Sequence, residues 1–363
     1  MSSIVTFLGK GGSGRTTVAI ALAQGLAQTG SNVLLLARNS PVSYRIALEL
    51  ELTPEPQEVF PNLAVAKLSS TAMLEQNWEA IKQLEQQYLR SPIIKGVFGQ
   101  ELGVLPGMDE ALALNQLREY YQGGKYDAII YDGSGDMSTL RMFAIPEVLD
   151  WYVRRFKDVF LESDIVKALS PFVQPVTAAV LNVSWSFDNF ETAETKQANQ
   201  MLENGKQALK DKKVIAYLVA TEDEYALAEA KYLWGSAQQI GLNVVGLLLN
   251  KSTNPKATDE FHPLKVTALP QIDRGDWQTL SDALPDLLAA DNPEPTYFDF
   301  DSSKIRVFLP GFAKKQVKLT QNGSEITVEA GEQRRNIELP SRWSDRSVTG
   351  AKFIDNYLEL TIG

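Results

Sequence analysis

The sequence predicts an α/β protein: a doubly wound, mostly parallel sheet with helical elaborations, followed by an all-β sandwich at the C-terminus. Three observations carry that expectation. Several short apolar runs, such as NVLLLA (Asn32 to Ala37) and VIAYLV (Val214 to Val219), contain almost no polar residue. Such runs belong to parallel strands covered on both faces. Helical patterns lie between them, and after Asp291 the texture changes to short alternating runs broken by Gly, Asn and Pro. A length of 363 residues agrees with two domains.

Taken in order, Ser3 to Leu8 reads as a buried strand that runs into a glycine loop, and Thr16 to Gln28 as the helix after it. Asn32 to Ala37, Ala128 to Tyr131, Val214 to Val219 and Val244 to Leu249 read as further strands, with helices over Ala72 to Leu89 and Ala226 to Gln239. This first domain spans 1–290. Two stretches, about 70–122 and 147–212, carry long helical patterns where a minimal fold needs one short crossover each. Their apolar residues are Met73, Trp78, Leu84 and Tyr88 in the first and Trp151, Tyr152, Phe156 and Phe160 in the second. These either pack on the sheet or present apolar surface to a client. DNPEPTYFDFDSS reads as a linker over 291–301, and 302–363 as a small antiparallel sandwich. Gln321-Asn322-Gly323 between two of its runs signals a hairpin.

Composition narrows the chemistry. There are 35 basic and 45 acidic residues, a formal charge of −10, which argues against an electrostatic nucleic-acid binder. With no cysteine and one histidine, His262, disulfides, zinc–thiolate sites, thiol catalysis and histidine metal clusters are excluded. No signal-peptide pattern opens the chain, and no run reaches the roughly 18 apolar residues of a membrane helix. The expectation is a soluble, cytoplasmic protein without an integral membrane segment.

Gly9-Lys10-Gly11-Gly12-Ser13-Gly14-Arg15-Thr16-Thr17 has the order of a phosphate-binding loop: strand, glycine loop, helix. The glycines let backbone N–H groups converge on an anion, and the helix adds its positive end. Thr16 falls where a hydroxyl ligates Mg²⁺, and Thr17 where one reaches the α-phosphate. Arg15 stands where such loops carry lysine. Its planar fork pairs with phosphate, yet it does not place charge as a compact ammonium does.

GKGG.G.TT resembles the deviant phosphate loop of the arsenite-pump and tail-anchored-protein-targeting ATPase family. The stretch YDAIIYDGSGDMSTLRMFAIP resembles that family's Walker B and switch II segment, with Thr139-Leu140-Arg141 and Pro146 in register. LPGMDEALAL (Leu105 to Leu114), VATEDEYALAEAKYL, LLLNKS and ALPQIDRG (Ala268 to Gly275) resemble its later segments, so the likeness covers 1 to about 285. It implies a P-loop NTPase fold binding ATP or ADP with Mg²⁺, Asp132 on the Mg²⁺ side, and Asn250, Pro270 and Ile272 around adenine. It also implies a homodimer in which Lys10 reaches the partner's nucleotide, and a hydrophobic membrane-protein client.

The departures fall on the chemistry. Asn39 stands where the family's switch I aspartate orients the attacking water, and an amide cannot take its proton. Gly133-Ser134-Gly135-Asp136 replaces Thr-Ala-Pro-Thr in switch II, and Asp136 either substitutes for the missing carboxylate or caps a turn. Losing one catalytic group costs ~10²–10⁴ in rate, so with Arg15 and Asn39 both changed the expectation is slow hydrolysis or none. Lys10, Arg15, Asn39 and Asp136 are the candidate catalytic residues.

Phe308-Leu309-Pro310-Gly311-Phe312, Arg335 to Pro340 and Ala351 to Leu358 resemble the α-crystallin domain of small heat-shock proteins. Asn356 replaces that signature's glycine and tolerates the left-handed turn. Such a domain binds a client, fixes the geometry of a dimer or has a purely structural role. Together these readings point to a nucleotide-switched chaperone or targeting factor. The alternatives are a catalytically inactive scaffold, a pump-driving ATPase, which needs thiolates and paired ATPase halves, and a partition ATPase.

Overall fold

The computed structural model describes residues 2–38, 41–73, 107–162, 193–253, 259–285 and 293–363. Eight strands form one sheet: β1 (Ser3–Leu8), β2 (Val33–Ala37), β3 (Gln57–Phe60), β4 (Leu63–Lys67), β5 (Ala128–Asp132), β6 (Val214–Ala220), β7 (Asn243–Asn250) and β8 (Lys265–Leu269). Their spatial order is β3-β4-β2-β5-β1-β6-β7-β8, parallel throughout except β3 against β4. The predicted strands stand within a residue or so of their expected ends. β3, β4 and β8 are additions that the sequence reading lacks.

The apolar runs lie where two-sided burial requires them. Every residue of β2 and of β6 is buried. Along β2, Leu34 and Leu36 enter one core, while Val33, Leu35 and Ala37 enter the other. Helices α1 (Arg15–Gln28) and α2 (Pro41–Leu48) supply the second core, with Leu280 from a short helix near 280. Helices α3 (Met108–Gln122), α4 (Met137–Glu162), α5 (Ala193–Lys210) and α6 (Glu224–Gln239) cover the opposite face. The sheet is therefore doubly wound. β1 lies between β5 and β6, so the loop after it opens at the C-terminal edge, where such sheets bind ligands.

Of the expected helical elaborations, α3, α4 and α5 are described. Met73 is buried in the core. Tyr152 is 49% exposed, and the Trp151 indole N–H donates to Glu325 Oε1 at 3.1 Å. Trp78, Leu84, Tyr88 and Leu105 lie outside the described residues, as do the side chains of Phe156 and Phe160.

The C-terminal strands form two antiparallel sheets around one apolar core. One holds β9 (Thr296–Asp299), β10 (Lys304–Phe308), β14 (Val348–Ile354) and β15 (Tyr357–Ile362), in the order β14-β15-β10-β9. The other runs β11 (Val317–Asn322), β12 (Glu325–Ala330) and β13 (Gln333–Glu338). The segment expected as a linker, 291–301, thus contributes strand β9, because pairing with β10 satisfies its backbone. The β14–β15 hairpin turns on Asp355 (φ 49°) and Asn356 (φ 64°), so Asn356 takes the left-handed conformation expected of it.

The sandwich is packed onto the α/β domain. Fully buried Trp234 of α6 stacks on Phe261 and meets Phe308 of β10 edge-on, with centroids 6.1 and 5.6 Å apart. Tyr232 meets Phe312 at 5.8 Å, and the Arg335 guanidinium donates to the Gln238 carbonyl at 2.6 Å. Burial lowers the Arg335 pKa to about 10. Arg334 lies 4.5 Å over the Trp151 ring, so α4 and α6 together grip the sandwich.

Candidate nucleotide site

The loop from Gly9 to Gly14 leaves β1 and enters α1, with Gly14 left-handed (φ 98°) at the helix N-cap. A Cβ at Gly14 would overlap the Asn250 amide, so glycine is required twice over. Gly11 and Gly12 face open space, and among the described residues no group accepts from the amides of Gly11, Gly12 or Gly14. The Ser13 hydroxyl is buried without a partner. A run of undirected amides at the start of a 14-residue helix suits an anion.

Beside the loop, Thr16 Oγ1 donates to Asp132 Oδ2 at 2.8 Å. Asp132 is 1% exposed at the end of β5. Hydroxyl and carboxylate together make the hard oxygen pair that Mg²⁺ takes beside a phosphate chain. The same Oδ2 accepts the Tyr44 hydroxyl of α2 at 2.8 Å. Burial, with Asp132 adding to it, holds the Tyr44 hydroxyl well above its usual pKa, so it stays a donor. Tyr44 was not legible as a site residue, because PVSYRIAL carries no motif and its partner lies far along the chain.

Arg15 is turned away from the loop. Its Nη1 donates to the Ser134 carbonyl and, at 3.4 Å, to that of Gly133. Burial lowers its pKa, offset by Asp132 and Asp136. Asp136 caps the start of α4: its Oδ1 accepts the Ser138 amide at 2.9 Å and the Ser134 hydroxyl at 2.6 Å. Lys10 Nζ lies 3.5 Å from Asp223, whose side chain caps α6 by accepting the Ala226 amide at 3.0 Å. Lys10 also stands 5.9 Å over the exposed Tyr225 ring.

Asn250 donates from Nδ2 to the Ser13 carbonyl at 2.9 Å, and its Oδ1 accepts the Lys251 amide at 3.0 Å. Its side chain is thus a brace beneath the phosphate loop. Pro270 follows Leu269, the register partner of Asn250, and Ile272 packs against the core that α1 shares. Thr17 sits half-buried in the first turn of α1. Gly9 donates its amide to the Gly135 carbonyl at 2.8 Å, tying the loop to the segment after β5. Asn39 lies outside the described residues. The residues present fit a phosphate chain and Mg²⁺, apart from the cation at position 15.

A family model described as anion-transporting ATPase matches residues 2–270, and one described as an HSP20-like domain found in ArsA matches 301–362. A Chlorobaculum tepidum protein provisionally named an arsenical pump-driving ATPase is 25% identical over 388 residues, covering 98% of this chain and 95% of the relative. The ATPase ASNA1 homolog of Babesia bovis is 31% identical over 144 residues, 39% of this chain and 38% of its own length. The ATPase get3 of Schizosaccharomyces pombe is 28% identical over 144 residues, 39% of this chain and 43% of its own length. With its phosphate loop, its doubly wound sheet and a matched span that covers most of its length, the chain belongs to the anion-transporting ATPase family.

Proposed function

We propose that this chain is a homodimeric switch that binds ATP or ADP with Mg²⁺ at Gly9 to Thr17, hydrolyses ATP slowly or not at all, and handles a hydrophobic membrane-protein client. One observation carries the reading: the loop amides and the Thr16–Asp132 pair stand ready for a nucleotide, while the Arg15 guanidinium is engaged elsewhere. Gly11, Gly12, Gly14 and α1 hold the phosphates; Thr16 and Asp132 hold the metal, which neutralises phosphate charge when bound. Among the described residues, none takes the place of a general base. Asp136 is occupied as a helix cap, and phosphoryl transfer rests on positioned charge that Arg15 does not supply.

Among the relatives' names, one adds a pump-driving role and the others say only that they are ATPases. A chain without cysteine lacks the thiolates that a metalloid site uses, so the switch reading is favoured over the pump. The second reading is an inactive scaffold, supported by the same engagement of Arg15.

Titration with ATP and Mg²⁺, beside a phosphate-release assay, tests the reading. Micromolar binding with little release is the expected result. No affinity at millimolar ATP would refute it. Brisk release abolished by Lys10→Ala and Asp132→Asn would restore a working ATPase. An apolar helical peptide that binds equally in every nucleotide state would remove the switch from client handling.

A further inference from the structure

Arg15 bonds to two consecutive carbonyls of the segment that follows β5, those of Gly133 and Ser134. That segment is shaped around it. Gly135 is left-handed (φ 66°), and a Cβ there would overlap the guanidinium. Gly135 in turn accepts the Gly9 amide at 2.8 Å and donates its own amide to Thr139 Oγ1 at 2.9 Å. The fully buried Thr139 hydroxyl also bonds Ser134 at 3.1 Å. The guanidinium therefore sits on a pre-set ring of donors and acceptors linking the first residue of the phosphate loop to the first turn of α4.

We propose that Arg15 is an internal tether: it holds residues 133–135 against the phosphate loop with no nucleotide present, doing from within the chain what a bound phosphate and metal do in a switch loop. A tethered segment is ordered before nucleotide arrives, so any movement of it on nucleotide binding must first break the Arg15 bonds. Residues 15 and 135 are a matched pair, since the arginine needs the space that a glycine leaves. The consequence for switching rests on the function proposed above; the tether itself does not, because it acts in the nucleotide-free protein.

Amide hydrogen exchange on the full chain without nucleotide tests it. The probes are the amides of Gly9 and Gly135, which report the ring directly, and that of Ser138, which reports the adjoining Asp136 cap. In Arg15→Met and Arg15→Lys, exchange at these amides should rise roughly tenfold or more, as expected for losing charge-assisted bonds to two carbonyls. Amides of β7 and of the sandwich should keep their wild-type rates, which controls for global destabilisation. Gly135→Ala should show the same local rise. In Arg15→Met/Gly135→Ala the added effect of the alanine should shrink, because only its backbone cost remains once the guanidinium is gone.

Exchange at Gly9 and Gly135 within twofold of wild type in both folded Arg15 variants would overturn the tether. Additive rather than reduced effects in the double variant would overturn the pairing of 15 with 135. Neither result bears on ATP affinity, and a failure to bind ATP leaves the exchange result standing.

Discussion

Replacing Asn250 with alanine separates two roles for one residue. Family resemblance puts Asn250 on adenine, whereas here its amide is 2.9 Å from the Ser13 carbonyl, under a glycine that leaves no room for anything else. At 5% exposure, truncation strands the carbonyl and opens a void below Gly14. An unsatisfied buried acceptor costs ~1–3 kcal/mol. If nucleotide binding must restore the loop's shape, affinity falls by about 5- to 150-fold, since 1.4 kcal/mol is tenfold. The loss comes from the phosphate cradle, so it should be alike for ATP, GTP, ADP and inorganic tripolyphosphate. Calorimetric titration of each with Mg²⁺ measures it. Asn250→Asp keeps the acceptor for Lys251 but sets a carboxylate against the Ser13 carbonyl, and should be at least as damaging. A loss confined to adenine nucleotides, with tripolyphosphate binding unchanged, would refute the brace.

Three further outcomes are expected. Trp234→Ala should destabilise the protein by ~3–5 kcal/mol, because the indole is fully buried between Phe261 and Phe308; differential scanning calorimetry should then separate sandwich unfolding from that of the α/β domain, and an unchanged thermogram would contradict the docking. Asp223→Ala should cost ~0.5–2 kcal/mol through the lost α6 cap. Asp223→Asn and Lys10→Ala should each cost under about 1 kcal/mol, because they break a half-exposed ion pair and, for Lys10, an exposed contact with the Tyr225 ring; equal melting losses for all three would place the energy in the pair instead. Burial by itself raises the Asp136 carboxyl, yet the Ser134 hydroxyl, the Ser138 amide and Arg15 hold it below its usual range. A depressed folded value stabilises the protein above the ordinary carboxylate pKa, and that contribution is lost as pH falls below about 4. The melting difference between wild type and Asp136→Ala should therefore narrow from pH 7 to pH 3, and a constant difference would exclude the effect.

Much of the fold was legible because two-sided burial leaves unbroken apolar runs. NVLLLA and VIAYLV read as parallel strands and are fully buried as such. Edge strands left weaker traces. β9, TYFD, sits among Pro and Asp with Tyr297 56% exposed, so its composition is that of a linker and only pairing with β10 makes it a strand. β8 begins on an exposed lysine and lacks the apolar signature for the same reason. At the site, the glycines and Thr16 were readable because phosphate binding demands residue types at fixed spacing. Tyr44 was not, since any hydroxyl delivered by α2 would serve Asp132.

The order of residues alone determined that a glycine loop meets a helix after a buried strand, that no thiol chemistry is open to this chain, and that a β-sandwich follows the sheet. These are matters of local spacing and composition. Folding decided where each side chain points: Arg15 to the carbonyls after β5, Asn250 beneath the loop, Trp234 into the joint between domains. The reason is physical. A long polar side chain has partners within reach in several directions, and which donor meets which acceptor is settled only when distant segments are packed and water is gone.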